Sequence, residues 1–283
     1  MAKFTYSAFG DEIAPELEKQ LDVMTQLNIH HLEIRRVNKK MVAEQTLEEI
    51  REIKRILTRK GCSISAIGSA IGKCSILYDF SEHLKEVNRV MNYAELLETN
   101  KIRMFSFVIP DGDDPYKYTD EVLRRLDYLV NLAAKRGFIF FHEDEKPVFG
   151  NNAARCEIVM REFFSDHFKM AFDPANFVQF GQETYPDCWN LLKKYVAHMH
   201  IKDALFSDKS VQVVGEGEGH VKEILSDLYK SNYDGFLVLE PHISAFEGHI
   251  AEEGTKIYDG PVGFHKAAEA LKKMMEEIAA ESA

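Results

Sequence analysis

Gly137-Phe138-Ile139-Phe140-Phe141-His142-Glu143 is a short apolar run that ends in an imidazole and a carboxylate. Its aromatic-rich centre, opened by a glycine and closed by polar groups, has the length and make-up of a buried parallel strand. Just before it, Val122, Leu126, Leu129, Leu132 and Ala133 recur at helical spacing, and Gly137 stands where a left-handed residue closes a helix. The unit is helix, cap, strand and polar end.

The same unit repeats in both directions along the chain. Strands are predicted at residues 4–9, 30–35, 63–68, 101–108, 137–143, 169–173, 196–202 and 235–240. Amphipathic stretches such as Leu17, Gln20, Leu21, Met24 and Leu27 fill the intervals, and Asn28, Gly61 and Asn100 take the same capping place as Gly137. Eight βα units repeat at about 35 residues with no linker-like composition between them, which predicts a parallel sheet covered by helices. Eight fit a closed barrel: an α/β (β/α)8 TIM barrel, one domain over residues 1–283. An open doubly wound sheet competes, but Phe9-Gly10-Asp11-Glu12 stands where its glycine-rich phosphate loop belongs.

Bulk properties narrow the function. The formal net charge of −11 opposes a phosphate backbone, and basic residues fall among acidic ones on helix-like stretches such as 48–60, so nucleic acid is not an expected partner. Cys62, Cys74, Cys156 and Cys188 form no C-x-x-C pair. The N-terminus lacks an apolar signal region, and no apolar run approaches the roughly 18 residues of a membrane span. Together these predict a cytoplasmic protein with no membrane partner.

Four later strands end in metal-ligand residue types: His142-Glu143-Asp144-Glu145, Asp173-Pro174-Ala175-Asn176, His198-Met199-His200-Ile201-Lys202-Asp203 and Leu239-Glu240-Pro241-His242. In a barrel these ends meet at one rim, where catalytic residues of this architecture collect. Strand alternation places Glu143 with Phe141 and Ile139, Glu240 with Val238 and Phe236, Asp173 with the small Ala171, and the two histidines on one face. Parity therefore permits an aspartate, an imidazole and two glutamates to converge. Three oxygen donors and one nitrogen suit one divalent ion, Mn²⁺, Co²⁺ or Mg²⁺, with Zn²⁺ also accommodated.

On these four motifs the chain resembles the xylose isomerase-like TIM barrels, which include sugar isomerases, ketose 3-epimerases, inosose dehydratases and endonuclease IV. Phe9-Gly10-Asp11-Glu12, Glu33-Ile34-Arg35 and residues 68–73 are similar to a sugar isomerase/epimerase subgroup. The resemblance implies Glu143, Asp173, His200 and Glu240 as metal ligands. It departs from the ketose 3-epimerases at Asn176, where they carry histidine, and after His200, where Lys202 and Asp203 replace an arginine. The His-x-Lys-Asp run looks more like the inosose dehydratases. Endonuclease IV is similar in fold only.

The expected function is a divalent-metal-dependent isomerase or epimerase of a small sugar or polyol. Glu143 and Glu240 would pass a proton beside a carbonyl, and Lys202 would steady the developing oxygen charge or pair with Asp203. The alternatives are an inosose dehydratase-like lyase and a catalytically inactive sugar-binding barrel. Asn176, His198, Asp203, His242, Glu145, Glu12 and Arg35 are the candidate substrate contacts. Beside that stand blander roles: a packed His198, rim positions for His242 and Glu145, and a charge network of Asp11, Glu12, Glu33 and Arg35. Residues 215–219, Gly-Glu-Gly-Glu-Gly, are expected as a flexible rim loop, with His220 either a lid contact or without a role. The segment 243–260 is expected as a lid or a packing surface for a second copy in a homo-oligomer.

Overall fold

Eight parallel strands close on themselves in chain order: β1 Lys3–Ala8, β2 His31–Ile34, β3 Ser63–Gly68, β4 Lys101–Met104, β5 Ile139–Glu143, β6 Phe168–Phe172, β7 Val196–Ile201 and β8 Asp234–Leu239. The closing seam pairs β1 with β8 over six positions, Lys3 with Asp234 through to Ala8 with Leu239. This computed structural model describes residues 2–244 and 255–282. Most of the segment expected as a lid, residues 245–254, lies outside the described residues.

The helices are α1 Leu17–Gln26, α2 Leu47–Lys60, α3 Phe80–Leu96, α4 Thr119–Arg136, α5 Ala153–Phe163, the short α6 Pro174–Gln179 and α7 Trp189–Leu192, α8 Val221–Tyr229 and α9 Gly260–Glu281. Local chemistry sets their ends. In α2 the Thr46 hydroxyl accepts from the Glu49 amide, and the Glu49 carboxylate accepts from the Thr46 amide. Their apolar faces, among them Leu21, Met24, Ile53, Val90, Leu126, Val159 and Leu271, are fully or almost fully buried against the sheet. Among the described residues no helix is long and apolar enough to cross a membrane.

Two sequence expectations change here. Gly61, Gly137 and Asn28 have positive φ as anticipated, but after α3 the left-handed residue is Glu98, not Asn100. The helix turns out two residues early, the Thr99 amide returns to the Ala94 carbonyl, and the Asn100 side-chain amide instead donates to the Gly137 carbonyl. The fourth strand stops at Met104 instead of 108, because Phe107 takes φ +69. Amides 105 and 107 there donate to Ile71 and Gly72 carbonyls at 2.8 and 2.7 Å. Gly72, at φ +76, makes room: a Cβ on it would overlap the Phe105 carbonyl oxygen.

Register decides what points inward. Neighbours in parallel strands share a face, so the pairings Gly68 with Arg103, Arg103 with Phe141, Glu143 with Ala171, Ala171 with His198, and His200 with Val238 define one inward ladder. Small residues on it, Ala66, Gly68 and Ala171, leave space for charged ones. Two register shifts, at Leu32/Glu33 and Met170/Ala171, re-aim the chain beside Glu33 and His198.

Candidate metal centre

Glu143 ends β5, Asp173 follows β6 as the N-cap of α6, His200 lies in β7, and Glu240 follows β8. One ligand atom from each lies within 4.8 Å of the others, and all four residues are buried. His200 Nδ1 is 2.7 Å from Glu143 Oε1 and 3.2 Å from Glu240 Oε2. The structure thus brings together the four residues that the sequence resemblance implied.

Three carboxylates out of water need compensation. Each meets a cation: Arg103 Nε lies 3.1 Å from Glu143 Oε2, Lys202 Nζ 2.8 Å from Asp173 Oδ2, and Arg35 Nη1, on a guanidinium shared with Asp11 and Glu12, 2.7 Å from Glu240 Oε1. Burial raises the Glu143 carboxyl, yet His200 and Arg103 hold it below its ordinary value. Burial likewise opposes ionisation of Glu240, but His200, His242 and Lys202 keep it well below. At Asp173 burial wins, with Lys202 acting against Glu240 and Glu143, and the carboxyl is pushed up to about 6. Burial lowers the His200 imidazole, while Glu143 and Glu33 carry it well above its usual range.

The donor chemistry fits a divalent cation. Carboxylate oxygens and one imidazole nitrogen are hard-to-borderline ligands, and the crowded anions gain most from a doubly charged ion among them. Glu143, Asp173, His200 and Glu240 are the residues that would hold it.

Other expected site residues fall into two groups. Glu12, Arg35, Glu240 and His242 form one network: Arg35 Nη2 donates to Glu12 at 2.6 Å and Nε to Asp11 at 2.8 Å, while His242 Nε2 lies 3.2 Å from both Glu12 and Glu240. Lys202 donates to Asn176 Oδ1 at 2.8 Å, and Asn176 donates to the Asp144 carbonyl at 2.7 Å. The second group stands apart. Glu145 pairs at 2.8 Å with the half-exposed Lys73. His220 meets Glu183 and Glu223 instead of the cluster. His198 lies beneath the ligands, 2.6 Å from Glu33.

Asp203 is a correction. Its Oδ1 accepts from the Gly219 and Ala204 amides at 2.8 and 3.0 Å, and its Oδ2 from Gly215 and Gly217 at 2.9 and 3.1 Å. A carboxylate so engaged has no acceptor capacity left for substrate and does not pair with Lys202. The same bonds overturn the expected flexible loop at 215–219, which is strapped to the end of β7. A Cβ at Gly217 or Gly219 would collide with that carboxylate.

Sequence reasoning gave no role to Arg103 or to Phe9. A charged residue between Ile102 and Met104 on an inward parity was the available signal for Arg103. The Phe9 ring lies under the site, with Arg35 at 4.6 Å, Arg103 at 5.6 Å and His200 edge-on at 5.2 Å. Gly68 gives that ring its place, since a Cβ there would come within 2.6 Å of it.

Fold and site define a closed (β/α)8 barrel with a buried carboxylate–histidine cluster of metal-ligand type at the C-terminal ends of its strands. The chain belongs to the family described as xylose isomerase-like TIM barrel, whose profile matches residues 22–275. A search of functionally curated proteins returns no match. Among solved structures it is similar to a D-allulose 3-epimerase from Methylomonas sp. in complex with D-allulose: TM-score 0.76, 11% identity, 97% of this chain and 98% of that one. It is also similar to the probable 3-DHS dehydratase AsbF of Bacillus anthracis: TM-score 0.73, 14% identity, 95% and 98% coverage. A family protein from Mycobacterium smegmatis in complex with magnesium gives TM-score 0.67, 15% identity, and 95% and 97% coverage. At these identities the likeness establishes the fold.

Proposed function

We propose that the protein is a divalent-metal-dependent isomerase or epimerase of a small sugar or polyol, with Glu143 and Glu240 exchanging the proton. The observation that carries this is their approach to one imidazole, His200, from β5 on one side and β8 on the other. When bound, the metal supplies Lewis acidity that polarises a substrate carbonyl and acidifies the neighbouring C–H. Glu143 removes that proton and Glu240 returns one on the opposite side, or the reverse. Arg103 and Arg35 keep the two carboxylates ionised and aimed. Lys202, held by Asp173 and Asn176, is the cation assigned to steady the developing oxygen charge.

Arg35, Arg103, Lys202 and Lys73 each already meet a carboxylate, which supports an uncharged substrate over a phosphorylated one. His242, Glu12 and Asn176 are the polar groups offered for its hydroxyls. The likeness to a D-allulose 3-epimerase, and to a relative that holds magnesium, supports this reading.

The likeness to a dehydratase favours one second reading, a lyase in which the same proton abstraction expels a β-hydroxyl. Incubation with Mn²⁺ in D₂O and a panel of unphosphorylated ketoses and inososes separates the two. Deuterium at carbon with a new sugar supports the isomerase or epimerase. Loss of water with enone absorbance supports the lyase. Metal-loaded protein that binds these compounds without deuterium exchange or product overturns both in favour of a sugar-binding barrel.

A further inference from the structure

Glu33 lies on β2, fully buried inside the barrel, opposite the small Ala66 and directly after a register shift that re-aims its side chain. Its Oε2 meets two ring nitrogens, His198 Nε2 at 2.6 Å and His200 Nε2 at 3.5 Å. An ionised carboxylate at such depth persists only where donors hold it. His198 is itself fixed, stacked on Phe141 with centroids 4.7 Å apart and edge-on to His200 at 5.4 Å.

His200 therefore has two different sides. Its Nδ1 faces the Glu143 and Glu240 oxygens, and its Nε2 faces Glu33. An imidazole ligand needs one bare nitrogen toward the ion and its other N–H held, because that second bond fixes the tautomer and the ring plane and strengthens the donor.

We propose that Glu33 is a positioning residue: it holds His200 with Nε2–H toward itself and Nδ1 toward the metal centre, while His198 braces Glu33 from the other side. This rests on the reading of His200 as a ligand. The rival use of the same atoms is a second cation, since Glu33, His198 and His200 also offer ligand atoms within 4.8 Å of one another.

Mn²⁺ titration calorimetry of wild type and Glu33→Gln tests the proposal. Glutamine keeps the volume and one acceptor but removes the charge. We expect one ion per wild-type chain, binding to Glu33→Gln weakened by about 10- to 100-fold, and a metal-free melting temperature changed far less than the affinity. Equal affinity within about twofold in the two proteins overturns the proposal while leaving the metal centre intact. Two ions per wild-type chain, one of them lost in Glu33→Gln, overturns it in favour of the second cation. No Mn²⁺ binding by the wild type removes His200 as a ligand and the proposal with it. If Glu33→Gln does not fold, long-range ¹H–¹⁵N spectra of the histidine rings in Zn²⁺-loaded wild type decide, with His200 assigned from a His200→Asn sample. Protonated Nε2 with bare Nδ1 is expected, and the reverse tautomer overturns the proposal.

Discussion

Replacing Asp203 by alanine removes the acceptor that ties the loop at 215–219 to the end of β7. Four backbone amides, those of Ala204, Gly215, Gly217 and Gly219, lose their bonds at once. At roughly 1 kcal/mol net for each bond, the loss is about 4 kcal/mol. An asparagine side chain in the same place would retain one carbonyl oxygen with two acceptor positions but turn its NH2 donor onto the other two amides, so Asp203→Asn should lose at least about 2 kcal/mol. Urea unfolding at neutral pH reads both, as a lower midpoint at unchanged m. Lys202 precedes the clamp, so the alanine variant should also lose order at the Lys202–Asp173 pair. A loss below about 1 kcal/mol for Asp203→Ala would refute the reasoning, because the amides would then be satisfied as well by water as by the carboxylate.

Three further outcomes follow from the same contacts. Glu240→Gln should weaken Mn²⁺ binding strongly in calorimetry, since it removes a charged donor beside His200, and an unchanged affinity would take Glu240 out of the ligand set. Gly72→Ala should lower stability by about 3 kcal/mol or more in thermal melts, because a positive φ and overlap with the Phe105 carbonyl oxygen act together. His83 gives a pH signature: burial first, and Arg125 second, lower its imidazole from 6.5 to about 4. Stability from this depressed group is complete above about pH 6.5 and falls as pH drops toward 4, by up to about 3 kcal/mol. His83→Gln should flatten that part of the wild-type stability profile, and parallel profiles would dismiss the assignment.

The (β/α)8 fold was legible because it rests on local periods. The continuous apolar run within 137–143, helical spacing in 122–133 and a glycine cap between them are each fixed by a few neighbouring residues, and repetition eight times leaves few architectures. The strand ends were legible in part: parity permits Glu143, Asp173, His200 and Glu240 to converge, and the family resemblance singles them out as a set. Errors arose where backbone geometry departs from the period, as at Phe107 with its positive φ and at Glu98, which took the place expected of Asn100.

What the sequence did not carry is which distant group stands across each side chain. His200 and Glu143 are 57 positions apart, Glu33 and His198 165, and Arg35 and Glu240 205. Closure of the barrel and two register shifts set those pairings, and neither leaves a local trace in composition. Asp203 illustrates the difference. As a motif, Lys202-Asp203 reads as a polar pair at the substrate mouth; in three dimensions the carboxylate turns away into four amides, while Lys202 turns to Asp173. The sequence alone determined the repeating βα units and which strand ends carry charged and metal-ligand residue types. Only the tertiary structure decided which charges neutralise one another there, because a buried ion is governed by its nearest neighbours in space and hardly at all by its neighbours in the chain.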